Sequence, residues 1–254
     1  MTKRLVLILI LASAVCSVSC NSEPSDRTDA TPSNKEQTFD RARRQMVDQD
    51  LKSRDITDTT VLQVMGTVPR HKFVLERYLD QAYADHPLPI GEGQTISQPY
   101  IVALMTQWLM IGEGDTVLEV GTGSGYQAAV LAEIADRVYS VEIRETLAAR
   151  ADTLLHQLGY ENIEVRASDG YYGWEEYAPF DGIIVTAAAN HVPPPLIKQL
   201  KEGGRMVIPV GNPYSYQKLV LIEKKDGELF SRDITGVLFV PLVGEIEKEK
   251  KESQ

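Results

Sequence analysis

The chain has 254 residues, 43% of them hydrophobic and 24% charged, enough to bury one full α/β core. Its formal net charge is −10, from 26 basic and 36 acidic residues, and an acidic surface repels phosphate backbones, so no nucleic-acid partner is expected. Cys16 and Cys20 both precede the body of the chain, and His71, His86, His156 and His191 form no H-x-x-x-H or H-E-x-x-H pair. A thiol nucleophile and a metal site are therefore not expected there.

Residues 1–19 read as an address. Lys3 and Arg4 precede the apolar run "LVLILILASAV", which is too short to span a bilayer and is followed by small residues, the pattern of a secretory signal. A cut before Cys20 would leave Ser17 and Ser19 at its −3 and −1 positions. That arrangement resembles a bacterial lipoprotein signal, with Ser17 standing where an aliphatic residue is usual. The expected location is the bacterial cell envelope or periplasm, with a lipid on Cys20 as the one membrane attachment. Plain secretion, and a cytoplasmic protein behind a misassigned start codon, are the alternatives. Residues 20–38 carry almost no large apolar side chain and predict a disordered polar tether. A folded domain over 39–245 and a charged tail over 246–254 complete the division.

Within the domain, Phe39–Leu51 and Thr57–Val68 show helical spacing, with Thr57 or Asp58 placed to cap the second helix. The stretch "GEGQTISQPY" at 91–100 reads as a loop whose Ser97 caps a helix over Pro99–Met110. That helix has a broad apolar face of Ile101, Val102, Leu104, Met105, Trp108 and Leu109, and Pro99 sits in the first turn, where proline is tolerated.

From Asp115 onward strands and helices alternate. "DTVLEV", "RVYSVEI", "IEVRAS", "FDGIIVTAA" and "RMVIPVG" read as strands; "GYQAAVLAEIA", "RETLAARADTLLHQLG" and "PPPLIKQLKEGG" read as helices, the last ended by its glycines. The closing run from Gln217 to Leu242 reads as two strands around a turn at Asp226-Gly227. The expected fold is α/β: a doubly wound, mostly parallel, seven-stranded Rossmann-like sheet with N-terminal helices and an antiparallel edge.

The strand "VLEV" runs into "GTGSGY" and a helix, a junction where backbone comes close to a ligand. Gly121, Gly123 and Gly125 are spaced G-x-G-x-G, not the G-x-G-x-x-G of dinucleotide sites, and Glu119 precedes them. A carboxylate there suits a cation better than a pyrophosphate. The loop resembles motif I of S-adenosylmethionine-dependent methyltransferases. Glu142 and Asp169 end the next two strands, so both face the same crevice. Glu142 is placed to accept from ribose hydroxyls and Asp169 from an adenine amino group; taken singly, each would pass for a turn or cap residue.

"VPRHKFV", "AYADHPLPIGEGQTISQPYIVALM", "VLEVGTGSGYQAAVLAEI", "DGYYGW", "APFDGIIVTAAA", "VPPPLIKQLKEGGRMVIPVG" and "LFVPLVG" together resemble one family, the protein-L-isoaspartate (D-aspartate) O-methyltransferases. The resemblance covers residues 40–245. It implies a repair reaction: transfer of a methyl group from S-adenosyl-L-methionine to the free α-carboxylate of L-isoaspartyl (and D-aspartyl) residues. The ester then collapses to a succinimide that reopens partly as aspartate. Damaged proteins and peptides are the implied partners, and a monomer the implied state.

The resemblance makes Ser97 the catalytic hydroxyl, beside the transferring methyl and hydrogen-bonded to the acceptor carboxylate. Thr95, Ile96 and Gln98 form a lid around it, and Val240, Pro241 and Leu242 line a peptide groove. Glu119, Gly121, Thr122, Gly123, Ser124, Gly125, Glu142, Asp169 and Gly170 hold the cofactor. The chemistry agrees with what the chain lacks, since a carboxyl with a pKa of about 4 is already ionised at neutral pH and needs neither base nor metal. Alternatives are a methyltransferase acting on another carboxylate, or a non-catalytic cofactor-binding protein. Export raises the latter, because the methyl donor is made in the cytosol.

Overall fold

The computed structural model describes residues 34–252. The predicted signal segment, Cys20 and most of the predicted tether lie outside them. The last tether residues differ from expectation: helix α1 (Asn34–Met46) already includes 34–38. Packing holds this helix: the Phe39 ring stacks on buried His71 at 4.1 Å and lies beside Tyr83. A single π-type turn over 47–51 follows, then α2 (Thr59–Met65). Asp58 caps α2 by accepting from the Thr60 and Val61 amides at 2.8 and 3.1 Å.

The stretch expected as a plain loop contains a hairpin. β1 (Leu88–Gly91) pairs antiparallel with β2 (Gln94–Ile96) around Glu92 and Gly93, whose φ angles of 54° and 70° match the turn that tight hairpins favour. Helix α3 (Pro99–Leu109) follows and ends at Met110 in the left-handed conformation.

The main sheet has the order β5-β4-β3-β6-β7-β8-β9. β3 (Thr116–Val120), β4 (Arg137–Glu142), β5 (Ile163–Ala167), β6 (Phe180–Val185) and β7 (Leu200–Gly211) are parallel neighbours. β8 (Gln217–Lys225) and β9 (Glu228–Val237) add an antiparallel edge, turning at Asp226 and Gly227 with positive φ. The chain leaves β3 toward one side and returns at β6 on the other, so the crevice at their carboxyl ends is a topological switch point.

Alternating strand residues feed two cores. Val117, Ile184 and Val207 pack with α1–α3 and with α4 (Tyr126–Ala132) and α5 (Glu145–Gln157); Leu118, Val120, Ile183 and Met206 pack on the other face with α6 (Pro194–Gln199). Strand residues buried on both faces explain why "VLEV" and "IIV" lack polar alternation. The expected glycine stop of α6 differs as well: the helix ends at Gln199, and Gly203 and Gly204 lie inside the long β7. The predicted tail begins as α7 (Glu245–Glu252), held because Ile246 is buried in the second core. Among the described residues no helix is long and apolar enough to cross a membrane, and no cluster of His, Cys, Asp or Glu could hold a metal ion.

Candidate active site

The crevice over β3, β4 and β6 is built largely from backbone. Gly121 has φ 102°, and a Cβ there would sit well inside contact distance of Thr186 Oγ1. A Cβ on Gly170 would collide in the same way with Val120 Cγ1. Only glycine lets the loop and the β5 end approach so closely. Gly125 has a different part: it opens α4 with φ 86° and lies against Leu155 and Ala151, so it serves helix packing.

Gly121, Gly123, Glu142 and Gly170 line this crevice. Glu142 is buried at its rim; Oε2 accepts from the Gly123 amide at 2.9 Å and Oε1 from the Arg144 amide at 3.0 Å. The carboxylate therefore fixes the glycine loop while facing the space above it. Glu119 lies deeper, behind the loop, outside the lining. It accepts from the Ser140 hydroxyl, which also bonds Thr122 Oγ1 at 2.6 Å, and its Oε1 is buried without a partner. Burial pushes the Glu119 carboxyl up to about 8; Ser140 opposes the rise and the Glu142 charge adds to it. A cation at the loop would relieve that orphaned oxygen.

Asp169 is also set back from the crevice. Its Oδ1 accepts from the Tyr171 amide at 2.9 Å and its Oδ2 from the Glu245 amide at 2.7 Å, which ties the start of α7 to the end of β5.

A groove of about 560 Å³ adjoins the crevice, lined in part by Thr95, Ser97, Gln98 and Val240. Between the two lies a small recess reached by Ile96, Ser97, Thr122 and Ser124. The expected groove residues thus separate: Val240 walls both spaces, whereas Pro241 and Leu242 wall the crevice. The cause is a short pairing across the chain, in which the Ala188 amide donates to Val240 O and the Leu242 amide to Ala188 O, both at 2.8 Å. That pairing lays the segment over the β6 end.

Ser97 does not cap α3. Asp85 does, its Oδ1 accepting from the Tyr100 amide at 3.0 Å and its Oδ2 from Gln98 Nε2 at 2.7 Å and Arg54 at 3.1 Å. Arg70 holds Ser97 itself: this fully buried guanidinium donates to Ser97 O at 2.7 Å and Ala82 O at 2.9 Å and lies over the Tyr126 ring. The Ser97 hydroxyl is left at the groove.

Thr186, directly after β6, joins the site without a sequence motif to mark it. It lines the crevice, the recess and the groove together, and its hydroxyl donates to Gly121 O at 2.6 Å. Its signal is its place directly after a buried parallel strand, where crevice residues are expected.

These residues fit a ligand with a cationic end at the glycine loop and an acceptor beside Ser97. The family model described as protein-L-isoaspartate(D-aspartate) O-methyltransferase matches residues 41–247. A Shewanella sediminis protein-L-isoaspartate O-methyltransferase 2 is 54% identical over 223 residues, 88% of this chain and 91% of its own. A Polaromonas relative of the same description is 60% identical over 189 residues, 74% of this chain and 90% of its own. Two solved structures superpose well. One protein-L-isoaspartate O-methyltransferase has a TM-score of 0.74 at 33% identity, covering 82% of this chain and 69% of its own. A Plasmodium falciparum protein, described in complex with S-adenosyl-L-homocysteine, has a TM-score of 0.70 at 28% identity, covering 79% of this chain and 98% of its own.

Proposed function

The chain belongs to the protein-L-isoaspartate(D-aspartate) O-methyltransferase family, and from that premise we propose how its residues divide the work. It is a methyltransferase that uses S-adenosyl-L-methionine to esterify the free α-carboxylate of isoaspartyl residues in damaged proteins. When bound, that cofactor supplies an electrophilic methyl group on a sulfonium. On the donor side, Gly121 and Gly170 keep the crevice open, and Thr122, Gly123 and Ser124 shape its loop. Glu142 accepts from the ribose hydroxyls with lone pairs its two backbone partners leave free. Asp169 accepts at the adenine end, again beside its backbone contacts. Glu119 acts from behind the loop as the carboxyl that favours a nearby cation.

On the acceptor side, Ser97 donates to one carboxylate oxygen and turns the other toward the methyl. Thr95 and Gln98 bound that position and Ile96 anchors it from the core. The acceptor arrives ionised, so these residues supply alignment and exclusion of water, and no proton has to be removed. The observation that carries this reading is the meeting of the two spaces at Thr95, Thr186 and Val240, next to Ser97.

Ser97→Ala tests it. Losing one hydrogen bond to a charged group should lower turnover of an isoaspartyl peptide by roughly 10- to 100-fold. Cofactor affinity by titration calorimetry should stay within about twofold. Equal losses in both would show that Ser97 supports the crevice instead. An aspartyl twin peptide should not be methylated.

We also place the enzyme in the bacterial cell envelope, on the pattern of residues 1–20. Fractionation with mass analysis should find a processed chain beginning at a lipid-bearing Cys20; an intact Met1 in the cytosol would refute this.

A further inference from the structure

The acceptor groove has a chemical character that the transfer step does not require. Among the described residues that line it, none carries a charged side chain. Thr95 and Thr186 also line the crevice and Ser97 the recess between, which marks the end where the reacting carboxylate belongs; the other polar groups are Gln98, whose Nε2 is bonded to Asp85, and the Tyr216 hydroxyl. Away from that end Pro87, Ile101, Val237 and Phe239 make the walls mostly apolar, and two large side chains stand into solvent: Tyr216, 76% exposed, and Leu238, 67% exposed. Large apolar surface held in water beside a site is surface awaiting a ligand.

These two walls are fixed relative to each other. Gln217, itself 2% exposed, donates through Nε2 to Ser215 O at 2.6 Å and Asn212 O at 3.1 Å, gripping the loop that carries Tyr216. Through Oε1 it accepts from the Phe239 amide at 2.8 Å, gripping the segment that carries Leu238. One buried carboxamide thus ties together the segments that carry Tyr216 and Leu238.

We propose that this groove selects among isoaspartyl sites by the neighbouring residue, favouring a large apolar or aromatic side chain, with Tyr216 and Leu238 as the residues that read it. The proposal rests on the assignment of the acceptor carboxylate to Ser97. A neighbour such as Phe loses apolar surface to the two walls and gains from its removal from water. A Lys or Glu neighbour loses hydration in a groove that offers no counter-charge. Damage exposed by local unfolding of a core segment, where isoaspartate has apolar neighbours, is then the favoured substrate class over damage in charged surface loops.

The test uses the full chain, labelled S-adenosylmethionine and five-residue isoaspartyl peptides that differ only beside the damaged residue, with Ala, Phe, Lys or Glu placed on either side in turn. On at least one side, kcat/KM should rise about tenfold from Ala to Phe and fall severalfold for Lys and for Glu. In Tyr216→Ala/Leu238→Ala the Phe-to-Ala ratio should fall to within about twofold of unity, while Tyr216→Phe should keep it. Both replaced side chains are exposed, and the ratio is read within each variant, so a change in overall activity does not enter. Good turnover with a flat series, or an unchanged ratio in the double variant, would overturn this proposal and leave the acceptor assignment standing. No methylation of any peptide would overturn the acceptor assignment, and the proposal with it.

Discussion

The donor crevice and the acceptor groove share Thr95, Thr186 and Val240 but are built in opposite ways. The crevice grows from parallel strands buried on both faces, and its surfaces include backbone, glycine and the Glu142 carboxylate, already bonded to two amides. The groove lies toward the antiparallel edge, where β9 is mostly exposed, and its surfaces come from loops, the three-residue β2, Ile101 of α3 and the end of β9. A ligand that never changes is met by backbone and by side chains bonded to it. An acceptor that differs at every damaged site is met by side chains.

This contrast can be broken most severely at Gly121. Gly121→Ala adds a methyl where Thr186 Oγ1 stands and forces an L-residue to φ 102°. Cofactor affinity should fall at least about 100-fold, with stability lower by roughly 2 kcal/mol or more by denaturant melt. Adding Thr186→Ala should recover part of the loss by making room; no recovery would mean that the backbone angle alone decides.

Thr186 lies on the boundary, so its replacement probes both sides. Thr186→Val keeps the shape and removes the donor to Gly121 O. We expect kcat/KM about tenfold lower, with Thr186→Ser close to wild type. Equal damage from Ser and Val would assign the residue to packing.

Asp85→Ala should lower stability by about 1–2 kcal/mol through the lost α3 cap and should raise acceptor KM through freed Gln98. Cofactor affinity should hold; a parallel fall in it would join the two regions more tightly than their geometry suggests.

The remaining test uses pH, at Glu119. Its folded pKa of about 8 exceeds the ordinary 4.5, so the neutral form is favoured in the fold. Its contribution to stability is full below the ordinary value and is lost as pH rises through about 8. Melting temperature of the cofactor-free protein should decline between these values, and Glu119→Gln should flatten that decline. An unchanged slope would place the proton elsewhere.

The donor side was the more legible in sequence, for the same reason. Parallel strands leave unbroken apolar runs, and a close backbone approach demands glycine, so "VLEVGTGSG" declares both strand and crevice. The acceptor side depends on partners far apart in the chain. Asp85 caps α3 from 15 residues upstream, displacing Ser97 from the role its local sequence suggests. Nothing in the sequence around Arg70 marks it for burial, yet it is fully buried against Ser97 O and the Tyr126 ring. The β1–β2 hairpin turns at Glu-Gly, a weaker signal than Asn-Gly, and its strands are too short to show alternation. Pro241 and Leu242 show the same limit: which space they face follows from a bridge to Ala188 that no local pattern contains.

The strap from Val240 to Glu245 crosses the crevice after β9 is complete, pairing with Ala188 and closing on Asp169. One wall of the donor site therefore lies C-terminal to every strand of the main sheet: a chain ending after β9 would keep all seven strands and lose the side of the crevice formed by residues 240–243.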